Sequence, residues 1–317
     1  MLRRIVLRLL QAALVLLALS FVVYGLIGLM PGDPIELMAA GSPTMTAEDV
    51  ARLKALYGVG QPILPRYLHW LGGVASGDLG YSRLTGLPVI RTLAPPLGHT
   101  LALMLTGLAV ALALALPFGV AAAMRNGRAL DQGLNLAAFA AISLPTFWLS
   151  LLLILAFAVG LRWLPSSGVE TPGLGGLLDR LRHLVLPAAA LAAASFGHYL
   201  RYTRAAMIAA LREDWVRTAR AKGASWPRVA VHHALRNAMV PVVTVLALDF
   251  GTLFSGVVVT ESVFGYPGMG KLIYDAVLGS DYNLALAALM LATATTLAAS
   301  ILADLAYATL DPRVRFA

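Results

Sequence analysis

The chain has 317 residues, of which 59% are hydrophobic and only 13% are charged, and its formal net charge is +8. Soluble domains are about 25% charged and about 45–50% apolar, so this composition excludes an ordinary soluble enzyme, a disordered chain and a nucleic-acid-binding module. Because the sequence contains no cysteine, disulfide bonds and thiolate metal sites are excluded as well. We therefore expect an integral membrane protein.

Six runs of the sequence are long and apolar enough to cross a membrane, for which a helix needs about 20 apolar residues. The fifth run contains one charged residue, Asp249, and the others contain none. The runs lie at residues 9–32, 92–124, 132–161, 184–200, 237–260 and 282–303. The sequence therefore predicts an all-α polytopic membrane protein with six transmembrane helices.

The first run follows Arg3 and Arg4, which is also how a secretory signal begins. A signal has a hydrophobic region of about 7–15 residues, followed by a cleavage site of small residues. Here the run continues to Met30 and ends at Pro-Gly-Asp-Pro, without such a site. We expect an uncleaved first span.

Lysine and arginine are unevenly divided among the segments that connect the six runs. Most of the 24 basic residues fall on the side that also holds the two ends of the chain. Short cytoplasmic segments are the ones enriched in these residues. We therefore predict a multi-pass protein with both termini in the cytoplasm.

The segment after the first run, residues 31–91, is predicted to be an outer loop with short helices of its own. Thr46, followed by two acidic residues, indicates a capped helix start, and Gly58 indicates the end of that helix. Apolar residues within 67–71 indicate a second short helix, and residues 77–80 indicate a turn. Two compatible roles stay open, a packed cap over the outer membrane face and a docking surface for an extracytoplasmic partner.

The connection between the fourth and fifth runs, residues 212–228, is predicted to contain a short cytoplasmic helix. Acidic residues open it and Lys222 closes it, as the helix dipole favours. Gly223 stands where a left-handed residue ends a helix, and Ser225 is placed to cap the next one. The helix carries an apolar face that we expect to be exposed, formed by Trp215, Val216 and Ala219.

Two interpretations of this connection are open. A short capped helix with an exposed aromatic face suits insertion into a cleft of another protein. An ordinary basic loop would instead lie on the membrane surface and bind anionic lipid. The order of caps, glycine and proline favours insertion into a partner.

The residues from Arg217 to Gly223, continuing through residues 233–237 to Pro241, resemble the coupling loop of ABC importer permeases. The branch that they resemble transports dipeptides, oligopeptides or nickel, and the long first outer loop resembles that of its B-type permease. Where the wider family opens this loop with Glu-Ala-Ala, the chain has Arg217-Thr218-Ala219. The resemblance covers nearly the whole chain, and its other motifs lie at residues 31–34, 77–82, 144–148, 261–270 and 311–315.

The resemblance implies the type I ABC importer architecture, with residues 1–317 forming a single transmembrane domain in the bacterial cytoplasmic (inner) membrane. The chain would be a pore-forming subunit that works by alternating access with a homologous second permease. Membrane lipid would surround the two subunits. Two cytoplasmic ATP-binding subunits and a periplasmic or extracellular solute-binding protein would complete the complex. The residues implied to couple to the ATPase are Asp214, Trp215, Val216, Arg217, Thr218, Ala219, Arg220, Ala221, Lys222 and Gly223.

Di- or oligopeptides are the cargo that the resemblance implies, with nickel or another small solute as the alternative. Two functions of other classes also stay open. One is a secondary transporter that uses Asp249, and the other is a structural membrane scaffold. Inverted repeats and broken helices are typical of secondary transporters, and the sequence contains no convincing repeat.

The chain itself is not expected to be an enzyme. Residues 265–271 nearly match the phosphate-binding pattern G-x-x-x-x-G-K-[ST], but Leu272 replaces the hydroxyl residue that would hold magnesium. Ser195 and His198 lack the nucleophile turn of a serine hydrolase. The neighbouring pair His232-His233 would face different directions on a helix, which disfavours a metal site. ATP and magnesium are expected on the partner ATPase chains, and no cofactor, metal or nucleic acid is expected on this one.

Polar residues inside the spans are candidates for the translocation path. Asp249 lies about 12 residues into the fifth run, which places it about 18 Å deep at 1.5 Å per residue. A carboxylate at that depth costs about 2.5–3.5 kcal/mol, so it needs a cavity or a partner. We predict that Asp249 lines the path together with Ser195 and Glu261, with a hydrogen-bonded packing contact as the alternative. Asp304 is expected to be structural.

Overall fold

The computed structural model of the chain describes the backbone of residues 2–28, 39, 46–56 and 62–310. Within these ranges it describes every side chain except those of residues 2–5, 53, 55–56, 247–256 and 303–310. The motifs at residues 31–34 and 311–315 and the predicted helix end at Gly58 lie outside the described residues. So do the side chains of Asp249 and Asp304.

The described part of the chain is helical, apart from connecting turns and an isolated antiparallel bridge between Tyr81 and Pro88. This confirms the all-α prediction. The described residues contain two π-helical segments, Ile154–Gly160 directly after α6 and Val229–Ala234 between α9 and α10. The helices are α1 (Leu2–Gly28), α2 (Ala47–Leu56), α3 (Ile63–Ala75), α4 (Val89–Met124), α5 (Ala129–Ser143), α6 (Thr146–Leu153), α7 (Leu177–Leu211), α8 (Asp214–Ala221), α9 (Trp226–Arg228), α10 (Leu235–Val263), α11 (Met269–Leu278) and α12 (Tyr282–Leu310).

Five spans within the described residues are long and apolar enough to cross a membrane, and a sixth is broken. The predicted third span is a pair of helices, α5 and then α6 with its π-helical continuation, bent by 101°. The bend lies at Leu144 and Pro145, because a proline disfavours helical backbone at the residue before it and Leu144 is extended. Counting the bent pair as one span gives the six that the sequence predicts, but an unbroken third helix was wrong.

The fourth span is much longer than the predicted run of residues 184–200. Helix α7 has 35 residues, which corresponds to about 50 Å at 1.5 Å per residue. The hydrocarbon core of a bilayer is only about 30 Å thick. Helix α7 is therefore too long to lie in the apolar layer over its whole length, and it carries arginines towards both of its ends.

The chain divides into two compact units. The first unit contains Met1–Gly98 and Gly268–Leu297, and the second contains His99–Pro267 and Ala298–Ala317. Helices α4 and α12 each run from one unit into the other.

In the first unit, α3 holds α1 through a buried tyrosine. The hydroxyl groups of Tyr67 and Ser20 are hydrogen-bonded at 2.8 Å, and the ring of Tyr67 packs edge-on against Phe21 at 5.2 Å between centroids. Tyr24 makes a second edge contact with the same ring at 5.7 Å. One aromatic side chain thus ties the outer loop to the first helix.

The turn at residues 77–82 is fastened to the start of α12 by a buried carboxylate. Asp281, which is 1% exposed, accepts hydrogen bonds from the Ser82 hydroxyl at 2.6 Å and from the Leu84 N–H at 3.0 Å. Its other oxygen accepts the N–H of Leu284 at 3.2 Å, as an N-cap side chain does. The predicted turn is confirmed, and Asp281 explains why this motif includes a serine.

The predicted cap of α2 is also confirmed. The Asp49 N–H donates to the Thr46 hydroxyl at 3.2 Å, and the Thr46 N–H donates back to the Asp49 carboxylate at 2.9 Å. The hydrogen bonds from Thr46 hold the pKa of Asp49 below its ordinary value. This reciprocal pair is a capping box with aspartate in the third helical position.

In the second unit, small residues bring α7 against its neighbours. A Cβ added to Gly197 would overlap the Ala138 carbonyl oxygen of α5 and lie 2.7 Å from Cγ1 of Ile142. At Gly119 of α4 an added Cβ would lie 2.7 Å from Cβ of Thr203. Close approach through small residues is the usual way in which helices associate in membranes. Helix α7 is therefore in direct contact with both α4 and α5.

We predict that Gly197→Val lowers the thermal stability of the protein in detergent, because the new side chain would collide with α5. Overpacking of this kind costs about 1–3 kcal/mol, which corresponds to a fall in Tm of about 2–10 °C for a domain of this size. The control is Gly133→Ala on α5, where an added Cβ meets nothing within 4 Å. This second change should leave Tm unchanged or raise it, and an equal fall in both variants would contradict the packing argument.

Candidate functional site

The short helix α8 is joined to the end of α7 by only Arg212 and Glu213. The Arg212 N–H donates to the Ala209 carbonyl at 3.1 Å, and the Glu213 N–H donates to the Ala210 carbonyl at 3.4 Å. Glu213 is the N-cap in extended backbone, and its carbonyl accepts the Val216 N–H at 3.0 Å. With so short a connection, the start of α8 is fixed to the end of α7.

The other end of α8 is closed by a Schellman motif. Gly223 has a φ of +86°, and its N–H donates to the Arg220 carbonyl at 2.9 Å. The Ala224 N–H reaches back to the Ala219 carbonyl at 3.2 Å, which is the longer bond of the motif. The predicted left-handed glycine is therefore confirmed. The Arg220 guanidinium also lies 5.6 Å from the centre of the Trp226 ring, across the turn.

The apolar face of α8 points into the protein, so the expected exposed aromatic face was wrong. Val216 is 4% exposed, and Trp215 packs against a cluster that includes Met207 and Ala210 of α7. We call this cluster the alanine-rich bed, because all of its members except Met207 are alanines, which leave room for an indole ring. The bed residues are Ala123, Met207, Ala210, Ala230, Ala234 and Ala238.

The exposed face of α8 is polar and basic. Arg217 and Asp214 form an ion pair at 3.3 Å, with side chains that are 84% and 93% exposed. Such an exposed pair contributes little to stability, so both groups can exchange partners at small cost. The other exposed coupling candidates are Thr218, Arg220, Ala221, Lys222 and Gly223, whereas Ala219 is half-buried.

The helix that follows α8 begins after Ser225. The backbone of this residue has the predicted N-cap conformation, but its side chain does not act as the predicted cap. Ser225 has extended N-cap backbone and Pro227 lies in the first turn. The Ser225 carbonyl accepts the Val229 N–H at 3.0 Å, whereas its side chain makes no capping hydrogen bond. The proline alone supplies the start signal here, since its fixed φ suits the first helical turn.

A second feature, which the sequence patterns did not single out, ties the end of α7 to the start of α5. Arg204 Nε donates to Asp131 Oδ1 at 2.5 Å, and Arg204 Nη2 donates to Asp131 Oδ2 at 2.7 Å. Arg204 Nη2 also donates to the side-chain oxygen of Asn126 at 3.0 Å. Residues 73 positions apart form this contact. A single sequence gives no signal for it, because Arg204 resembles the other basic residues of its side.

The candidates for the translocation path occupy different surroundings. Ser195 is buried within α7, whereas His198 is exposed. Glu261, in the last turn of α10, is fully buried and accepts a hydrogen bond from the Thr100 hydroxyl at 2.5 Å. Asp249 lies in α10, with its side chain outside the described residues. The shared role of Ser195, Glu261 and Asp249 in the path stays a prediction.

The backbone turns back over the buried Glu261 directly after α10. The Tyr266 N–H donates to the Glu261 carbonyl at 2.8 Å. Burial and then the charge of Glu261 raise the pKa of the Tyr266 phenol. The near-match to a phosphate loop begins in this turn, at Gly265. Its lysine, Lys271, donates to Asp275 at 2.6 Å within α11.

Comparison with known proteins matches both parts of the chain to membrane components of one kind of transport system. The family model described as "binding-protein-dependent transport system inner membrane component" matches residues 115–316, and the model of the N-terminal part of such membrane components matches residues 1–103. The chain is 37% identical to the oligopeptide transport system permease protein AppB of Bacillus subtilis, over 98% of this chain and 99% of that protein.

Two further relatives are similar over most of their length. The di/tripeptide transport system permease protein DppB of Pseudomonas aeruginosa is 37% identical over 93% of this chain and 94% of its own. The dipeptide transport system permease protein DppB of Escherichia coli is 33% identical over 94% of each chain. The similarity therefore extends over the entire architecture and includes the α8 segment.

We predict that Gly223→Ala loosens the C-terminal end of α8, because a left-handed alanine costs about 1–2 kcal/mol. The measurement is amide hydrogen exchange, in which the amides of Gly223 and Ala224 should lose protection. Gly223→Asn is the matched variant, since asparagine tolerates left-handed backbone, and it should keep most of the protection. Equal protection in the wild type and in the alanine variant would contradict this role of the glycine.

Proposed function

The chain belongs to the family of inner membrane components of binding-protein-dependent transport systems, and we propose that it forms half of the transmembrane pathway of an ATP-driven importer of di- or oligopeptides. The other half would be a homologous second permease. The relatives named for peptide transport support the cargo class, because they are similar over 93–98% of this chain. Members of this family are membrane components of ABC importers, which supports placing ATP hydrolysis on separate chains.

The proposed complex also contains two cytoplasmic ATP-binding subunits and a solute-binding protein on the outer side. ATP and magnesium would be bound by the ATPases. Both termini of this chain and the coupling segment, residues 212–228, would face the cytoplasm, as the distribution of Lys and Arg favours. Residues 1–317 would act as one transmembrane domain, with residues 31–91 outside.

The geometry of α8 is the observation that carries the coupling role. The helix is capped by Gly223, fixed to α7 through Arg212 and Glu213, and anchored by Trp215 in the alanine-rich bed, and its Val216 is buried as well. Its other face is exposed and basic. A short helix with one face anchored and one face free can be gripped by a partner and can carry a displacement into the membrane domain.

The division of labour within the segment follows from burial. Arg217, Thr218, Arg220 and Lys222 would contact the ATPase, because they are exposed. Trp215 and Val216 would transmit its movement, because they pack inward. ATP can shift the permease between states only if the ATPase pair grips α8 differently before and after hydrolysis. The proposal therefore requires a contact at the basic face that changes with nucleotide.

We predict that the double variant Arg217→Glu/Arg220→Glu loses the ATPase subunits on affinity purification in mild detergent. ATP-dependent uptake of a radiolabelled casein hydrolysate of short peptides should fall at least tenfold. Reversal of two charges replaces attraction by repulsion at a docking face, and each close charge pair is worth about 1.5 kcal/mol or more. The control is Arg91→Glu, an exposed arginine at the start of α4, which should keep both properties.

The wild-type result tests the proposed function itself. Uptake should need ATP and should resist a protonophore, and the copurified chains should include an ATP-binding subunit. Uptake abolished by the protonophore, with ATP levels maintained, would favour the secondary transporter. Copurified ATPase with nickel rather than peptide on the binding protein would keep the importer and replace the cargo.

We propose in addition that Asp249 contributes to the translocation path with Ser195 and Glu261. Asp249 lies near the middle of the 29-residue helix α10, where an unpaired carboxylate is costly. Asp249→Asn should assemble normally and reduce peptide uptake about tenfold, because it removes the charge at that depth. Asp275→Asn in α11, where the carboxylate is 46% exposed, is the control and should retain uptake. Unchanged uptake in Asp249→Asn would remove the residue from the path.

A further inference from the structure

Asp131 and Arg204 are the centre of a polar cluster in the second unit, which we name the α5–α7 clamp. Its members are Asn126, Gly127, Asp131, Asn135 and Arg204. The Asp131 side chain is 3% exposed and the Arg204 side chain 25% exposed. Both charged groups have therefore left most of their water, which a pair does at a net cost unless its hydrogen bonds are complete.

The hydrogen bonds of the buried carboxylate are complete. Besides the two bonds from Arg204, Oδ2 of Asp131 accepts the Gly127 N–H at 2.8 Å and Oδ1 accepts the Asn135 side-chain amide at 2.8 Å. The guanidinium of Arg204 therefore binds both carboxylate oxygens, and the orientation of that carboxylate is fixed by Gly127 and Asn135. A bidentate pair sets angle as well as distance, which a single contact or a lysine does not.

The clamp lies on the same stretch of α7 that carries the anchor of α8. Arg204 is followed within two helical turns by Met207 and Ala210, which pack beneath Trp215. The end of α4 contributes Ala123 to the same bed, and Asn126 lies three residues after Ala123. The ends of α4 and α7 thus meet α8 in one continuous block, and the clamp joins the start of α5 to that block.

The clamp is the polar link from this block to the bent pair α5–α6. Two turns before Arg204 on α7, the crossing with α5 rests on the small residue Gly197 against the carbonyl oxygen of Ala138. That contact sets how closely the two helix backbones approach. The two-pronged contact of Arg204 also sets the angle between the helices, because rotation of α7 would break one of its hydrogen bonds before the other.

We propose that Arg204 and Asp131 are positioning residues that convert movement of α8 into movement of the α5–α6 pair. This rests on the proposed function, in which an ATPase displaces α8. Displacement of α8 carries the end of α7 with it, and the Arg204 fork then turns the start of α5. Without the fork, α8 would still bind the ATPase, but hydrolysis would be followed less often by opening of the membrane domain.

The experiment measures the number of ATP molecules hydrolysed per peptide taken up by the purified complex in liposomes. The binding protein and the radiolabelled casein hydrolysate are supplied. Arg204→Lys retains the charge and loses the fork, and Asp131→Asn retains the shape and loses the charge. Both variants should keep the ATPase subunits on purification and should raise the ratio at least fivefold. Asn126→Ala, which leaves the bidentate pair in place, should raise it about twofold.

The matched control is Arg201→Lys, on the same face region of α7. Its guanidinium lies 4.4 Å from the centre of the Phe139 ring of α5, so it also links α7 to α5 but without a fork. This variant should leave the ratio within about 1.5-fold of the wild type.

A purely structural role gives a different outcome. In that case the clamp variants would lower the yield of complex, while each assembled complex would hydrolyse the same number of ATP molecules per peptide as the wild type. An unchanged ratio in Arg204→Lys and in Asn126→Ala, with wild-type uptake intact, would overturn the clamp proposal alone. Failure of the wild-type complex to couple ATP to uptake would instead overturn the proposed function.

Discussion

Close contact at glycines fixes the position of α7 between its neighbours. The positions of α8 and of the α5–α7 clamp depend on that position of α7. At Gly197 the backbone of α7 meets the Ala138 carbonyl of α5, and at Gly119 the backbone of α4 meets Thr203 of α7. In a membrane the hydrophobic effect does not drive helices together, so packing at small residues supplies much of the attraction between them. Arg204 follows Thr203 directly. The same approach that brings α4 against α7 therefore also sets the position of the clamp.

The polar clamp and the coupling helix place opposite demands on the same end of α7. A bidentate contact between Arg204 and Asp131 needs atoms fixed to a few tenths of an ångström, and its burial makes any loss of one partner costly. Helix α8 instead needs an exposed basic face. The alanine-rich bed beneath Trp215 reconciles the two, since it holds one side of α8 firmly and leaves the other side free for a partner.

Much of this architecture could be predicted from the sequence, and the failures have a common cause. Local signals were sufficient for the long apolar helices, for the Thr46 cap and for the left-handed Gly223, because each depends on neighbouring residues. The direction of the α8 apolar face and the Arg204–Asp131 pair depend on how distant helices cross, which one sequence does not encode locally. The break at Leu144 is different, since Pro145 was a local signal whose effect on the preceding residue could have been recognised.

The eight-residue helix α8 is too short to be stable in isolation, since isolated helices shorter than about 12–15 residues are marginal in water. Its structure must come from its two ends and from the bed beneath it. The connection at Arg212 and Glu213 and the Schellman motif at Gly223 fix the ends, while Trp215 fixes the orientation. These contacts tie α8 to α7 and to the bed. A partner that moved α8 would therefore also move the end of α7, and the proposed function requires this dependence of so small an element.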